Sequence, residues 1–219
     1  MLWNANIETN IDFIFLPCYN EKQPEYKLKG AKNRMEDITK ICSECNIFLI
    51  GFMGSGKTTV ANYLKETYCM DMIEMDREIS EREGMSISDI FALHGEDYFR
   101  DLETGLLEEI QKKKHVVVSC GGGVPMRAVN VDAMRNSGRI IFLQASAETI
   151  YERVKDSHDR PLLEGNKNVA YISELLEKRK EKYELAGDIF IATDGKEVFQ
   201  IGEEIIQKLN EWENTNKKL

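Results

Sequence analysis

From Asn46 onward, short apolar runs rich in β-branched residues alternate with stretches whose apolar positions recur every three or four residues. The runs predict strands at Ile47–Ile50, Met72–Met75, Val116–Ser119, Ile140–Leu143 and Ile189–Ala192. Between them, Val60, Tyr63 and Leu64 recur at helical spacing, as do Phe99, Leu102, Leu106 and Ile110, and later Ile172, Leu175 and Leu176 with Arg179 through Tyr183. Strands alternating with helices signal a parallel sheet covered on both faces. The expected fold class is therefore α/β, a three-layer α/β/α sandwich around a five-stranded parallel sheet, occupying residues 46–219.

Residues 1–45 do not share that alternation. Ile11–Pro17 is mostly apolar, a polar stretch with Pro24 and Gly30 follows, and a short helix is possible around Arg34–Ile41. An N-terminal tail or linker of unassigned role is the simplest reading, with a packed extension, a regulatory arm or sequence upstream of a start at Met35 as alternatives. Cys42 and Cys45 have the spacing of half a zinc site or a redox pair. No second ligand pair stands at suitable spacing, and His94, His115 and His158 lie far off, so the sequence favours incidental cysteines.

Composition narrows the class without naming a function. The chain has 219 residues, 42% hydrophobic and 31% charged, with four prolines. At one and a half times a typical domain of roughly 150 residues, one domain with an appendage is expected. The balance of 29 basic against 38 acidic residues gives −9, which opposes electrostatic capture by nucleic acid or an anionic membrane. No apolar run approaches the roughly 20 residues of a spanning helix, and the start does not read as a signal peptide, so a cytoplasmic protein is expected. Cys18, Cys42, Cys45, Cys69 and Cys120 are odd in number and scattered, which fits reduced thiols.

The most specific signal is Gly51-Phe52-Met53-Gly54-Ser55-Gly56-Lys57-Thr58, a full G-x-x-x-x-G-K-[ST] match between a strand and a helix. Backbone N–H groups can wrap a phosphate only where side chains do not block them, and the following helix directs its positive end at the anion. Lys57 is expected to reach the β- and γ-phosphates, and Thr58 to place a hydroxyl on Mg²⁺. The expected nucleotide-binding residues are thus Gly54, Ser55, Gly56, Lys57, Thr58 and Thr59, in a loop that GTPases, ATPases, nucleotide kinases and small-molecule kinases share. The bland alternative is a glycine-rich turn that binds nothing.

Such a loop does not name the phosphate acceptor, which must be sought at the carboxyl ends of the other strands. Glu74 and Asp76, one residue apart, would lie on one side of an extended segment and could serve a metal and a hydroxyl. They read equally well as loop acids or as charges at a helix N-terminus. Gly95 through Glu103 opens an amphipathic helix on which Arg100 and Glu103 can meet, by itself a surface pair. Ser119-Cys120-Gly121-Gly122-Gly123 follows the third strand, and three glycines there suggest that something approaches the backbone closely, a tight turn being the alternative. Ser119 could reach Mg²⁺ only through water. Residues 155–167, containing Arg160-Pro161, have the length of a lid that could carry an arginine to the transferring phosphoryl group. Arg179 offers a planar fork suited to a carboxylate.

In this order the motifs resemble the shikimate kinase family: Gly51–Thr58, Glu74-x-Asp76, Gly95-Glu96-x-x-Phe99-Arg100 with Glu103, Gly121–Gly123, Arg160-Pro161-Leu162, and Arg179 with Tyr183, over residues 46 to about 208. The resemblance implies a nucleoside monophosphate kinase-like P-loop fold, with a shikimate-binding subdomain near 76–105 and a lid near 155–167. ATP and shikimate would give ADP and shikimate 3-phosphate, a step toward chorismate and the aromatic amino acids, in a monomer with Mg²⁺ as the metal. By the family pattern, Asp76 would bind the acceptor hydroxyls and take the proton of the attacking one. Arg100 and Arg179 would grip the carboxylate, and Gly121, Gly122 and Gly123 would meet the ring. Arg160 would reach the phosphates, Arg153 would lie against adenine, and Glu74 and Ser119 would serve the metal through water. One departure stands out: the family usually has Asp where this chain has Glu74. A gluconate kinase of the same superfamily, or a P-loop protein that binds nucleotide without transferring phosphate, are the competing readings.

Overall fold

Strand β1 (Asn46–Ile50) is buried along its whole length, which is why its sequence shows no polar alternation. In the computed structural model, which describes residues 46–155 and 168–216, it is the centre of a five-stranded parallel sheet. The other strands are β2 (Asp71–Glu74), β3 (Val116–Ser119), β4 (Gly138–Gln144) and β5 (Ile189–Ala192), in the order β2-β3-β1-β4-β5. The described helices are α1 (Lys57–Tyr68), α2 (Met75–Glu83), α3 (Ile87–Ile110), α4 (Ala128–Ser137), α5 (Ala147–Val154), α6 (Val169–Ala186) and α7 (Val198–Asn216). Among these residues, no helix is long and apolar enough to cross a membrane.

The layers follow from strand alternation. Ile47 and Leu49 pack with Val60 and Leu64 of α1 and Ile201 and Ile205 of α7 on one face. Phe48 and Ile50 point the other way, into a cluster with Ile79, Leu106, Ile110, Met134 and Tyr183. A third cluster joins Phe52 to Ile150 and Val154 of α5 and Ile172 of α6, so the loop after β1 is walled on its far side. The chain leaves β1 toward β2 and leaves β3 toward β4, so the connections diverge from adjacent strands. That divergence opens a crevice at the carboxyl ends of β1 and β3.

Three of the five strands begin or end at other residues than the apolar runs suggest. β2 stops at Glu74 because Glu74 caps α2, its carboxylate accepting from the Arg77 N–H at 3.2 Å, and Met75 already turns into that helix. Asp76 therefore sits in a first helical turn and not on an extended segment. The long helix α3 starts before the expected segment and is broken at Gly95 (φ 85°, ψ 172°), a left-side conformation that favours glycine. Helices α4 and α5 were not legible as periodic apolar stretches because each buries only three residues. The N-terminal extension, Cys18, Cys42, Cys45, His158, Arg160 and the lid segment from 156 to 167 lie outside the described residues.

Buried Asn46 fastens the lower end of the sheet. Its amide donates to the Lys113 and Ile110 carbonyls at 3.0 and 3.4 Å, and its oxygen accepts from the Val116 N–H at 3.1 Å. Asn46→Ala would leave the buried Val116 N–H without this partner and should cost about 1–3 kcal/mol in urea unfolding. An unchanged midpoint would contradict this account of the sheet's lower edge.

Candidate active site

The phosphate loop closes where the Ser55 N–H donates to the Phe52 carbonyl at 3.1 Å, and Gly56, at φ 98°, caps α1. Only glycine takes that left-handed turn cheaply, so the helix begins with its N–H groups facing the loop's hollow. No acid occupies the first turn of α1 to compete with an anion. Lys57 Nζ folds over the loop, donating to the Gly51 and Phe52 carbonyls at 2.8 and 3.0 Å. Ser55 Oγ is buried and makes no hydrogen bond among the described residues. Thr59 follows on the exposed side of α1. Arg153 on α5 donates to the Gly54 carbonyl at 3.1 Å and to Thr193 at 3.2 Å, linking the loop to the segment after β5.

Beside the loop, Thr58 Oγ1 lies 3.1 Å from Ser119 Oγ, and Ser119 is the register partner of Glu74 on the neighbouring strand. The start of α1 and the ends of β2 and β3 thus present three oxygen-bearing side chains together. Burial, then the charge of Asp76, pushes the Glu74 carboxyl above its ordinary value.

The three glycines after β3 each receive a different side chain. A Cβ on Gly121 would lie 2.6 Å from Asp76 Oδ1 and 2.7 Å from Glu103 Oε1. One on Gly122 would stand 3.6 Å from Tyr183 Oη and 3.7 Å from Arg179 Nη1, and one on Gly123 would collide with the Arg100 guanidinium. Close approach, and not an unusual φ, is what excludes side chains here. Asp76 from α2, Arg100 and Glu103 from α3, and Arg179 from α6 therefore converge on one short strip of backbone, Gly121–Gly123, across the crevice from Gly51 and Phe52.

Arg100 and Glu103 are no surface pair. Glu103 is fully buried and accepts from Arg100 Nη1 at 2.8 Å, while Arg100 also donates to exposed Glu96 and lies near the rings of Phe91 and Phe99. Glu103 Oε1 makes no hydrogen bond among the described residues. Burial raises the Glu103 carboxyl to about 7, outweighing the opposing pull of Arg100. Arg179 sits 5.6 Å over the Phe52 ring, so the loop after β1 supplies a shelf for this arginine of α6. Cys120 is wholly buried and its thiol is pushed far up by that burial, an inert neighbour and no nucleophile.

Every described site residue named from the sequence lies at the carboxyl ends of the strands or on the helices flanking them; Arg160 lies outside the described residues. Phe52 and Thr193 carried no such signal. Phe52 occupies a variable position of the loop motif, and Thr193 is a single polar residue beyond an edge strand. Only the fold brings them to Arg179 and Arg153.

A family model described as shikimate kinase matches residues 53–210. A shikimate kinase of Persephonella marina is 45% identical over 164 residues, covering 75% of this chain and 98% of the relative. Among solved structures, a shikimate kinase from Acinetobacter baumannii in complex with shikimate superposes with a TM-score of 0.70 at 30% identity, covering 82% of this chain and 98% of the other. A gluconokinase from Sinorhizobium meliloti shares the fold at TM-score 0.52 and 19% identity, covering 81% of this chain and 98% of that one.

Folded Glu103 keeps its proton up to about pH 7, whereas an ordinary glutamate ionises near 4.5. Between those values the folded state binds the extra proton, so this group lowers stability as pH rises through the window. Glu103→Gln removes the titration. Relative to wild type, the variant should gain on the order of 2–3 kcal/mol between about pH 5 and about pH 8 in urea unfolding; parallel profiles would contradict a buried proton at Glu103.

Proposed function

The chain belongs to the shikimate kinase family, and from that premise we propose that it transfers the γ-phosphoryl group of ATP to the 3-hydroxyl of shikimate. The observation that carries this reading is the convergence of Asp76, Arg100 and Arg179 on Gly121–Gly123, opposite the phosphate loop. A small ring bearing one carboxylate and several hydroxyls is matched by two arginine forks and one acid. The attacking oxygen forms a bond to the γ-phosphorus, the bond from that phosphorus to the β-bridging oxygen breaks, and ADP leaves. Asp76 takes the proton of the attacking hydroxyl.

Lys57 and the N–H groups at the start of α1 hold the phosphates, with Gly54, Ser55, Gly56, Thr58 and Thr59 forming the cradle. Arg153 lies against the adenine and Arg160 reaches the phosphates. The oxygen donors Thr58, Glu74 and Ser119 suit Mg²⁺, Thr58 directly and the other two through water, because a hard ion prefers oxygen and completes its shell with phosphate and water. When bound, Mg²⁺ supplies positive charge to the β- and γ-phosphate oxygens. Arg100 and Arg179 orient the acceptor through its carboxylate, so the positioning charge stays remote from the reacting hydroxyl. The net charge of −9 supports small-molecule partners over nucleic acid.

The direct test measures ADP release with shikimate, gluconate or a nucleoside monophosphate as sole acceptor. Turnover with shikimate alone is expected; preference for gluconate, or tight ATP binding without turnover of any acceptor, would overturn the assignment. Arg179→Ala should weaken shikimate binding by about 1.5–3 kcal/mol, read as a raised KM for shikimate with that for ATP little changed. Lys57→Met should lower kcat by at least about a hundredfold in a folded protein, and near-normal turnover would contradict its contact with the transferred phosphate.

A further inference from the structure

We infer that Tyr183 is a positioning residue for the acceptor: its hydroxyl pins the Gly122 carbonyl, which sets the Gly122–Gly123 peptide beside the Arg179 guanidinium. The inference rests on reading Gly121–Gly123 and Arg179 as acceptor-binding.

Tyr183 lies one helical turn after Arg179 on α6 and is buried. Its ring stacks on Phe142 of β4, with centroids 5.1 Å apart and planes 21° from parallel, so the phenol is held in one orientation. From that position the hydroxyl donates to the Gly122 carbonyl at 2.7 Å. A phenolic oxygen has one proton to give and lone pairs to receive. Arg179 lies near the same oxygen: burial pushes the phenol's ionisation up, and the charge of the guanidinium opposes that rise. Below Arg179 lies the ring of Phe52. The guanidinium thus lies over an aromatic face from the loop after β1 and close to the glycine run that the Tyr183 hydroxyl anchors.

The consequence for the glycines is geometric. A run without side chains has many accessible backbone conformations, and nothing in its own sequence selects one. Pinning the Gly122 carbonyl fixes the plane of the trans peptide and turns the Gly123 N–H to the opposite side. Among the described residues, neither the Gly122 nor the Gly123 N–H donates a hydrogen bond, so both remain available to an acceptor's oxygens. A Cβ on Gly122 would stand at nearly equal distance from Tyr183 Oη and Arg179 Nη1, which places all three groups around one point.

The test compares wild type, Tyr183→Phe and Asn46→Ala in the full chain, below the melting temperature of each. Tyr183→Phe keeps the ring and removes the hydroxyl. Its Kd and KM for shikimate should rise about three- to tenfold, the scale of one lost hydrogen bond, while KM for ATP stays within about twofold. Asn46→Ala, destabilised at the opposite end of the sheet, should keep the wild-type shikimate constants, which separates positioning from lost stability. Wild-type enzyme that turns over shikimate beside a Tyr183→Phe variant with unchanged shikimate constants would overturn the positioning role alone. Wild-type enzyme that ignores shikimate would overturn both this role and the acceptor assignment.

Discussion

Gly121, Gly122 and Gly123 carry no side chains, and the space so left is where Asp76, Glu103, Arg179 and Arg100 come against the backbone. That steric vacancy at the end of β3 is the constraint on which the acceptor end depends. β3 lies beside β1, and their connections diverge, so the vacancy opens directly toward the phosphate loop. A side chain at 121 would push on two carboxylates, and one at 123 would meet a guanidinium that has already been taken largely out of water.

The electrostatics follow from the same crowding. Three acids, Glu74, Asp76 and Glu103, stand near the ends of β2 and β3, and burial raises the carboxyls of Glu74 and Glu103, each also feeling Asp76. Arg100, beside the paired rings of Phe91 and Phe99, offsets part of this charge by pairing with Glu103. Breaking such a buried pair costs more than forming it contributes, because the remaining partner is left charged and dry. The scaffold around the site is tied as well: Tyr63 and Tyr68 of α1 both donate to Glu203 of α7, at 2.7 and 2.9 Å, which holds α1 to α7.

Much of this was legible before any coordinates. Buried parallel strands announce themselves as uninterrupted apolar runs, as Val116–Ser119 does, and Ile189–Ala192 also begins and ends where its apolar run does, although this edge strand exposes alternate residues. The loop Gly51–Thr58 is readable because phosphate binding demands backbone at fixed spacing. The Arg100–Glu103 pair was misjudged as a surface feature because i,i+3 spacing states that two side chains can meet and says nothing of what covers them. The placement of Glu74 and Asp76 on an extended strand failed for a local reason: a carboxylate that caps a helix ends the strand one residue early. Phe52 beneath Arg179, and Thr193 against Arg153, were beyond reach, since both contacts join segments far apart in the chain and neither residue type advertises them.

The central claim, that empty space at the glycine run admits the acceptor and its partners together, is tested most directly by Gly121→Ala, with shikimate and ATP binding each measured by calorimetry on the folded variant. The account predicts near-normal ATP affinity and loss of shikimate binding, because the added methyl group would occupy the place where Asp76 and Glu103 approach. Shikimate binding at wild-type strength in that variant would contradict it.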